Sequence, residues 1–207
     1  MVQPRIFLLV AFASVAPLAF GDEASQRAAE EVVRKSFSTA TPDQWATRMQ
    51  QDEVQALCSR YRNAPPPEIA SKILAAQQRT FKYPADGKLM GDWREGEKLA
   101  SIGTGGHIGN IQPDPPDRKK GGNCYACHLL APKEVAAGTI GPSLTGFGKL
   151  RGNAPETVKY TYEKIYNAQA FVPCSMMPRF GLHGWLTPKE IADSVAFLLD
   201  PESPVNQ

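Results

Sequence analysis

The segment Cys124-Tyr125-Ala126-Cys127-His128 has the clearest chemical content in this 207-residue chain. Two thiols three positions apart lie on one helical turn, where they can reach the two vinyl groups along one side of a porphyrin. The adjacent imidazole then projects onto the iron, and the covalent tether retains haem even in a small core. Three other readings use the same residue types. A closed zinc site on Cys124, Cys127 and His128 calls for a second ligand pair at similar spacing, and the chain has none. A thiol redox pair sits at a helix start in an α/β fold, whereas no strand pattern is visible here. A plain disulfide leaves His128 without a role. The motif therefore predicts one covalent haem c on Cys124 and Cys127, ligated by His128.

The iron then needs a second axial ligand or an open position. Met176, Met177 and His183 lie downstream of the motif and His107 upstream. Met177-Pro178 is preferred, because a methionine followed by proline in an extended segment can push its thioether toward the iron. Met176 is the neighbouring alternative, with haem-pocket packing as its other role. Gly141-Pro142-Ser143-Leu144-Thr145-Gly146 follows the attachment motif, and the Pro142 carbonyl is placed to accept the second imidazole N–H of His128, fixing its tautomer. Cys58 and Cys174 remain. Two leftover thiols in an exported protein most often pair, and a bridge here would tie the N-terminal region to the loop carrying Met177.

The elements that must position these groups read as helices. Residues 22–38 form a polar helix with Arg34 and Lys35 late. Thr41-Pro42-Asp43 is a helix start, followed by Trp45, Met49, Leu57 and Tyr61 near one face, as in a single helix ended by Pro65-Pro66-Pro67. A further helix is expected from Glu68 to about Lys82, with Ile69, Ile73 and Ala76 inward. Asp92 caps a helix containing Trp93, Leu99 and Ala100 that stops at Gly103. A Gly/Pro-rich connection, 104–122, ends in Arg118-Lys119-Lys120, a short cluster that is more often a solvated loop than a docking site. Pro155 to about Asn167 is helical, with Val158, Tyr162 and Ile165 on one side. Thr187-Pro188-Lys189-Glu190 is a capping box opening a last helix with Ile191, Val195, Leu198 and Leu199 inward. The fold class is all-α, with an N-terminal helical extension over 22–90 and a haem domain over 91–207.

The 18 prolines and 17 glycines cluster around 103–146, which predicts irregular backbone there. Arg5, the apolar stretch Ile6 to Leu18 and Ala19-Phe20-Gly21 read as a cleaved export signal over 1–21, because the apolar run is shorter than the ~20 residues of a membrane span. Of the 23 Lys and Arg only Arg5 is lost on cleavage, leaving 22 against 21 Asp and Glu. That balance, without a polybasic run, speaks against nucleic-acid binding. The expected location is the periplasm.

Gly91-Asp92 through Gly103, Cys124 to His128, Gly141 to Leu144, Met177-Pro178 and the capped final helix resemble the class I cytochrome c pattern in its usual order, over about residues 91–200. More narrowly, Gly122-Asn123-Cys124-Tyr125-Ala126-Cys127-His128 with Ser175-Met176-Met177-Pro178-Arg179-Phe180-Gly181 resembles the SoxX family. The resemblance implies a monohaem subunit that pairs with a SoxA-like cytochrome as the electron-transfer half of an L-cysteine S-thiosulfotransferase, not catalytic alone. It further implies that thiosulfate is joined to a cysteine of a SoxYZ-like carrier, and that the electrons pass on to a soluble cytochrome. A free-standing electron shuttle is the alternative. It usually needs little beyond the haem fold, so the extension favours a docking role. A haem enzyme with an open iron is disfavoured by the Met-Pro candidate.

Overall fold

The computed structural model describes residues 23–105, 115, 117 and 119–207. The export signal over 1–21, His107 and Arg118 lie outside the described residues. The chain divides into two compact units, 1–38 and 39–207. Among the described residues every regular element is helical and there are no strands, so the all-α expectation holds.

The first unit contributes one described helix, α1 (Glu23–Ser36). Its side chains from Ala24 onward are exposed, and an i,i+4 pair joins Lys35 to Glu31 at 2.7 Å. The second unit opens on α2 (Pro42–Gln44), held by a capping box between Thr41 and Gln44, with Pro42 in its first turn. The helix then widens into a π-turn, Trp45–Met49, and ends at Gln50, whose backbone is extended. A new helix, α3 (Glu53–Arg60), starts on a second capping box between Asp52 and Gln55. The single helix expected from Trp45 to Tyr61 is therefore two elements. Two reciprocal hydrogen bonds at Asp52 satisfy a fresh set of helix-start donors, and Val54 and Cys58 become the buried positions.

Helix α4 (Pro67–Gln77) stops short of the expected Lys82. Its buried residues are Ile73 and Gln77, while Ala76 is exposed. Gln77 turns inward because its amide joins a buried polar cluster, its Oε1 accepting from Asn167 Nδ2 at 3.0 Å and from Arg179 Nη1 at 3.3 Å. Val54, Cys58, Ile73 and Cys174 form a small apolar cluster of their own, flanked by Leu57 and Ile69.

The main core is built on α5 (Trp93–Ser101), α7 (Pro155–Tyr166) and α8 (Pro188–Leu199). Asp92 caps α5, and the Thr187–Glu190 box caps α8. Leu99 and Ala100 from α5, Tyr162 and Ile165 from α7, and Ile191, Val195, Phe197 and Leu199 from α8 are buried together. Each large side chain contributes about 1.5–3 kcal/mol through area removed from water. The α5–α8 crossing is close enough that a Cβ at Gly96 would stand 2.1 Å from the Asp193 carbonyl oxygen and 2.8 Å from Phe197 Cβ. Glycine is required there by contact, not by backbone angle.

The short helix α6 (Phe147–Arg151) is fixed by the chain's last residues. Asn206 is 1% exposed, and its Oδ1 accepts from Gly148 N at 2.8 Å while its Nδ2 donates to the Leu198 carbonyl at 3.1 Å. Gly146 N also donates to the Val205 carbonyl at 2.7 Å. The loop before α6 is thereby anchored to α8. No described helix is long and apolar enough to cross a membrane.

Candidate haem site

The attachment segment hangs from the end of α5. Gly122 N donates to the Leu99 carbonyl at 2.8 Å, and Asn123 N to the Ile102 carbonyl at 3.1 Å. Trp185 Nε1 donates to the Gly121 carbonyl at 2.8 Å. Asn123 adopts a left-handed backbone, φ +44°, which asparagine tolerates better than most residues. It turns the chain into a 3-10 turn, Cys124–Ala126, closed by Cys127 N and His128 N donating to the Cys124 carbonyl at 3.1 and 2.9 Å.

The following loop is laced back onto this turn. Gly138 N donates to the Tyr125 carbonyl, Gly141 N to the Cys127 carbonyl and Leu144 N to the Leu129 carbonyl, each at 2.8 Å. That lacing brings the Pro142 carbonyl oxygen to 2.7 Å from His128 Nδ1. A carbonyl can only accept, so Nδ1 carries the proton, and Nε2 has no hydrogen-bond partner among the described residues. Gly141 lies directly against the ring, and a Cβ there would stand 2.2 Å from His128 Cε1. The Gly-Pro pair was visible in the sequence as a turn. Its second role, a glycine whose missing side chain leaves room for the imidazole, was not.

Cys124 and Cys127 are unbridged and partly buried, and burial pushes the Cys124 thiol up to about 11. Among the described residues no group of three or more His, Cys, Asp or Glu side chains is placed to hold a metal ion, so Cys124, Cys127 and His128 do not converge as a zinc ligand set.

Downstream, Met176 is 77% exposed, whereas Met177 is half-buried against the main core. Cys124, Tyr125, Leu144 and Trp185 pack on that same core. A cavity of about 350 Å³ is lined by Gly121, Gly122 and Asn123 together with Pro178, Arg179 and Phe180. The residues just before Cys124 and just after Met177 thus share one cavity, although neither His128 nor Met177 lines it. His183 also borders it, its imidazole held below the ordinary range by lost solvation, with the Arg179 charge acting in the same direction. Far from the attachment turn in sequence, Cys58 and Cys174 are joined by a disulfide.

Sequence reading did not single out Arg179. It is 5% exposed and ion-paired to Asp52 at 2.5 Å across 127 residues, a separation that leaves no local signal. Asp52 is held below the usual carboxylate range. Its partial burial acts upward but is outweighed by the Gln55 N–H and the Arg179 guanidinium.

The chemistry of the donor set fits haem c. Two free thiols stand at the ends of one turn, an imidazole has one nitrogen engaged and the other available, and half-buried apolar groups pack on the same core as Cys124. Comparison with known proteins agrees. The family model described as cytochrome c matches residues 119–200. A protein of Aquifex aeolicus (strain VF5), described as an uncharacterized lipoprotein, is 48% identical over 158 residues, covering 76% of this chain and 73% of that protein. The chain belongs to the cytochrome c family, whose members carry covalently bound haem c and transfer electrons.

Proposed function

We propose that this cytochrome is a SoxX-type subunit, the electron-transfer half of a SoxAX-like complex. In that role it accepts the electrons released when thiosulfate is joined to a cysteine of a SoxYZ-like carrier. One observation carries the reading. The two segments with the SoxX resemblance, Gly122 to His128 and Ser175 to Gly181, both line one cavity, the first through Gly122 and Asn123 and the second through Pro178, Arg179 and Phe180.

In this proposal Cys124 and Cys127 would form the thioethers, His128 and Met177 would hold the iron, and Pro142 would orient His128. Haem c supplies a one-electron couple. His128 is held in one tautomer by Pro142, which makes Nε2 the ligating nitrogen and raises its basicity. Met177 is preferred over Met176 because its side chain packs on the core that also takes Cys124, while Met176 stands in solvent. Joining a thiol to thiosulfate as a thiosulfonate-capped disulfide releases two electrons and one proton, so the subunit accepts twice per turnover or shares with a partner centre. By analogy with the SoxX family, the bond-forming residue would lie on the SoxA-like partner. Residues 22–90 are proposed as a helical extension serving docking, and 91–207 as the haem domain. Export to the periplasm is supported by the lipoprotein description of the Aquifex relative.

The test has two arms. Wild-type ferric protein should show the weak near-infrared sulfur-to-iron band, and Met177→Ala should lose it. Affinity-tagged protein expressed in its native cells should copurify with a second haem-bearing cytochrome, and the pair should reduce its haem when given thiosulfate and carrier. Isolation as a lone cytochrome, with no thiosulfate-dependent reduction, would assign it instead as a free shuttle.

A further inference from the structure

Met177 lies on a segment without regular structure that packs on the main core on one side and is tied on the other to residues before Trp93. Three positions ahead of it, Cys174 is bonded to Cys58 on α3. Cys174 has φ +59°, a left-handed backbone that L side chains rarely adopt, and the bridge is mounted on that turn. Two positions beyond it, Arg179 is buried and spans two elements, its Nη2 donating to Asp52 Oδ2 at 2.5 Å and its Nη1 to Gln77 Oε1 at 3.3 Å. Asp52 is the cap of α3 and Gln77 the last residue of α4. Near Met177 itself the ties are weaker: Met177 N donates to Ser175 Oγ at 3.3 Å, and Gln169 Nε2 to the Ser175 carbonyl at 3.3 Å. Pro178 has no N–H to give.

A buried guanidinium stays in place only while its counter-charge does. The methionine is thus bracketed by a covalent anchor and an ionic one, both mounted on α3 and α4. We propose that Asp52 and Arg179, with the Cys58–Cys174 bridge, are positioning residues that control how readily Met177 leaves the iron. The α3–α4 region is then a brace for the axial methionine as well as an extension. This rests on the reading of Met177 as ligand, and the test separates the two.

Haem-loaded wild type, Asp52→Asn, Arg179→Lys, the double variant Cys58→Ser/Cys174→Ser and Met177→Ala are compared. One measurement is the near-infrared band of the ferric protein; the other is carbon monoxide association with the ferrous protein, which requires the methionine to have left. Asp52→Asn and the double serine variant should bind at least about fivefold faster than wild type with helical circular dichroism intact. Arg179→Lys should fall between them and wild type. If Met177→Ala keeps the band and binds no faster than wild type, the ligand reading fails and the brace with it. If Met177→Ala loses the band but folded Asp52→Asn and double serine protein accelerate less than that, the brace alone is refuted. Should the double variant not fold, wild-type holoprotein with its bridge opened by a phosphine reductant is read against the same threshold.

Discussion

Replacing Gly141 with alanine isolates one contact at the imidazole. The backbone there lies outside the left-handed region, so the added methyl group dominates the effect. That methyl would stand 2.2 Å from His128 Cε1, 2.5 Å from Nδ1 and 2.7 Å from Nε2. The nearest of these is about 1.2 Å inside an ordinary 3.4 Å contact. Retreat of the loop would strain the Gly141–Cys127 backbone bond, and retreat of the ring would break the 2.7 Å bond to Pro142. Overpacking of this kind costs about 1–3 kcal/mol, and one lost hydrogen bond adds about 1 kcal/mol. The expected loss is about 2–4 kcal/mol, a fall of about 1–2 M in urea midpoint at a slope of ~2 kcal/mol/M. Urea titration of the holoprotein, followed by haem absorbance and by circular dichroism, reads this directly. An unchanged midpoint with an unchanged haem spectrum would falsify the close approach of Gly141 to the ring.

Three further outcomes follow from other contacts. Gly96→Ala gains about 1 kcal/mol of helix propensity, yet its methyl meets the Asp193 carbonyl at 2.1 Å. The net change should therefore be destabilising, with a lower melting temperature, and an equal or higher one would mean that α5 and α8 do not cross there. Opening the Cys58–Cys174 bridge by double serine substitution frees a loop of 116 residues. Chain-entropy arithmetic puts the loss at about 4.8 kcal/mol, and a loss under about 1 kcal/mol in urea titration would argue against the pairing. Asp52 has a folded-state pKa below its unfolded value. Its stabilisation is complete above the unfolded pKa of about 4 and disappears as pH falls through the lower folded value. Asp52→Asn should flatten the acid limb of the stability–pH curve below about pH 4, and parallel curves for variant and wild type would contradict the depressed carboxyl.

What the sequence made legible was local. α8 was readable because its capping box, first-turn proline and apolar stripe all agree, and α5 because Asp92 caps a short amphipathic run ending at a glycine. The break between Trp45 and Tyr61 was written in Asp52-Glu53-Val54-Gln55, which has the form of a capping box, but the apolar spacing across it suggested one continuous helix. Gln77 illustrates a different limit. An amide at a helix end is ordinarily solvated, and only the arrival of Asn167 and Arg179, distant in the chain, makes it a buried acceptor. Propensity carries no information about such partners. The attachment turn was legible because its chemistry depends on spacing, and the glycine that seats its imidazole was not, because that depends on a neighbour in space.

The two proposed axial ligands are secured by different routes, and this has a consequence for how the site opens. His128 is held by nearby chain, through Gly138, Gly141 and Leu144 bonding back to the attachment turn and Pro142 meeting the ring within fourteen residues. Short-range contacts of this kind re-form quickly once lost, because little loop entropy opposes them. On Met177's side, Cys174 and Arg179 are tied to Cys58, Asp52 and Gln77, contacts that close loops of about a hundred residues. Of these only the bridge is covalent. Thermal or chemical stress that separates α3 and α4 from the main core therefore releases the methionine side while the imidazole side is still in place. In the haem-loaded protein the least protected state would then be one that keeps His128 in place and has lost Met177. Partial opening would be visible as loss of the sulfur-to-iron band before loss of helix, and it would convert a closed electron carrier into an iron open to small ligands.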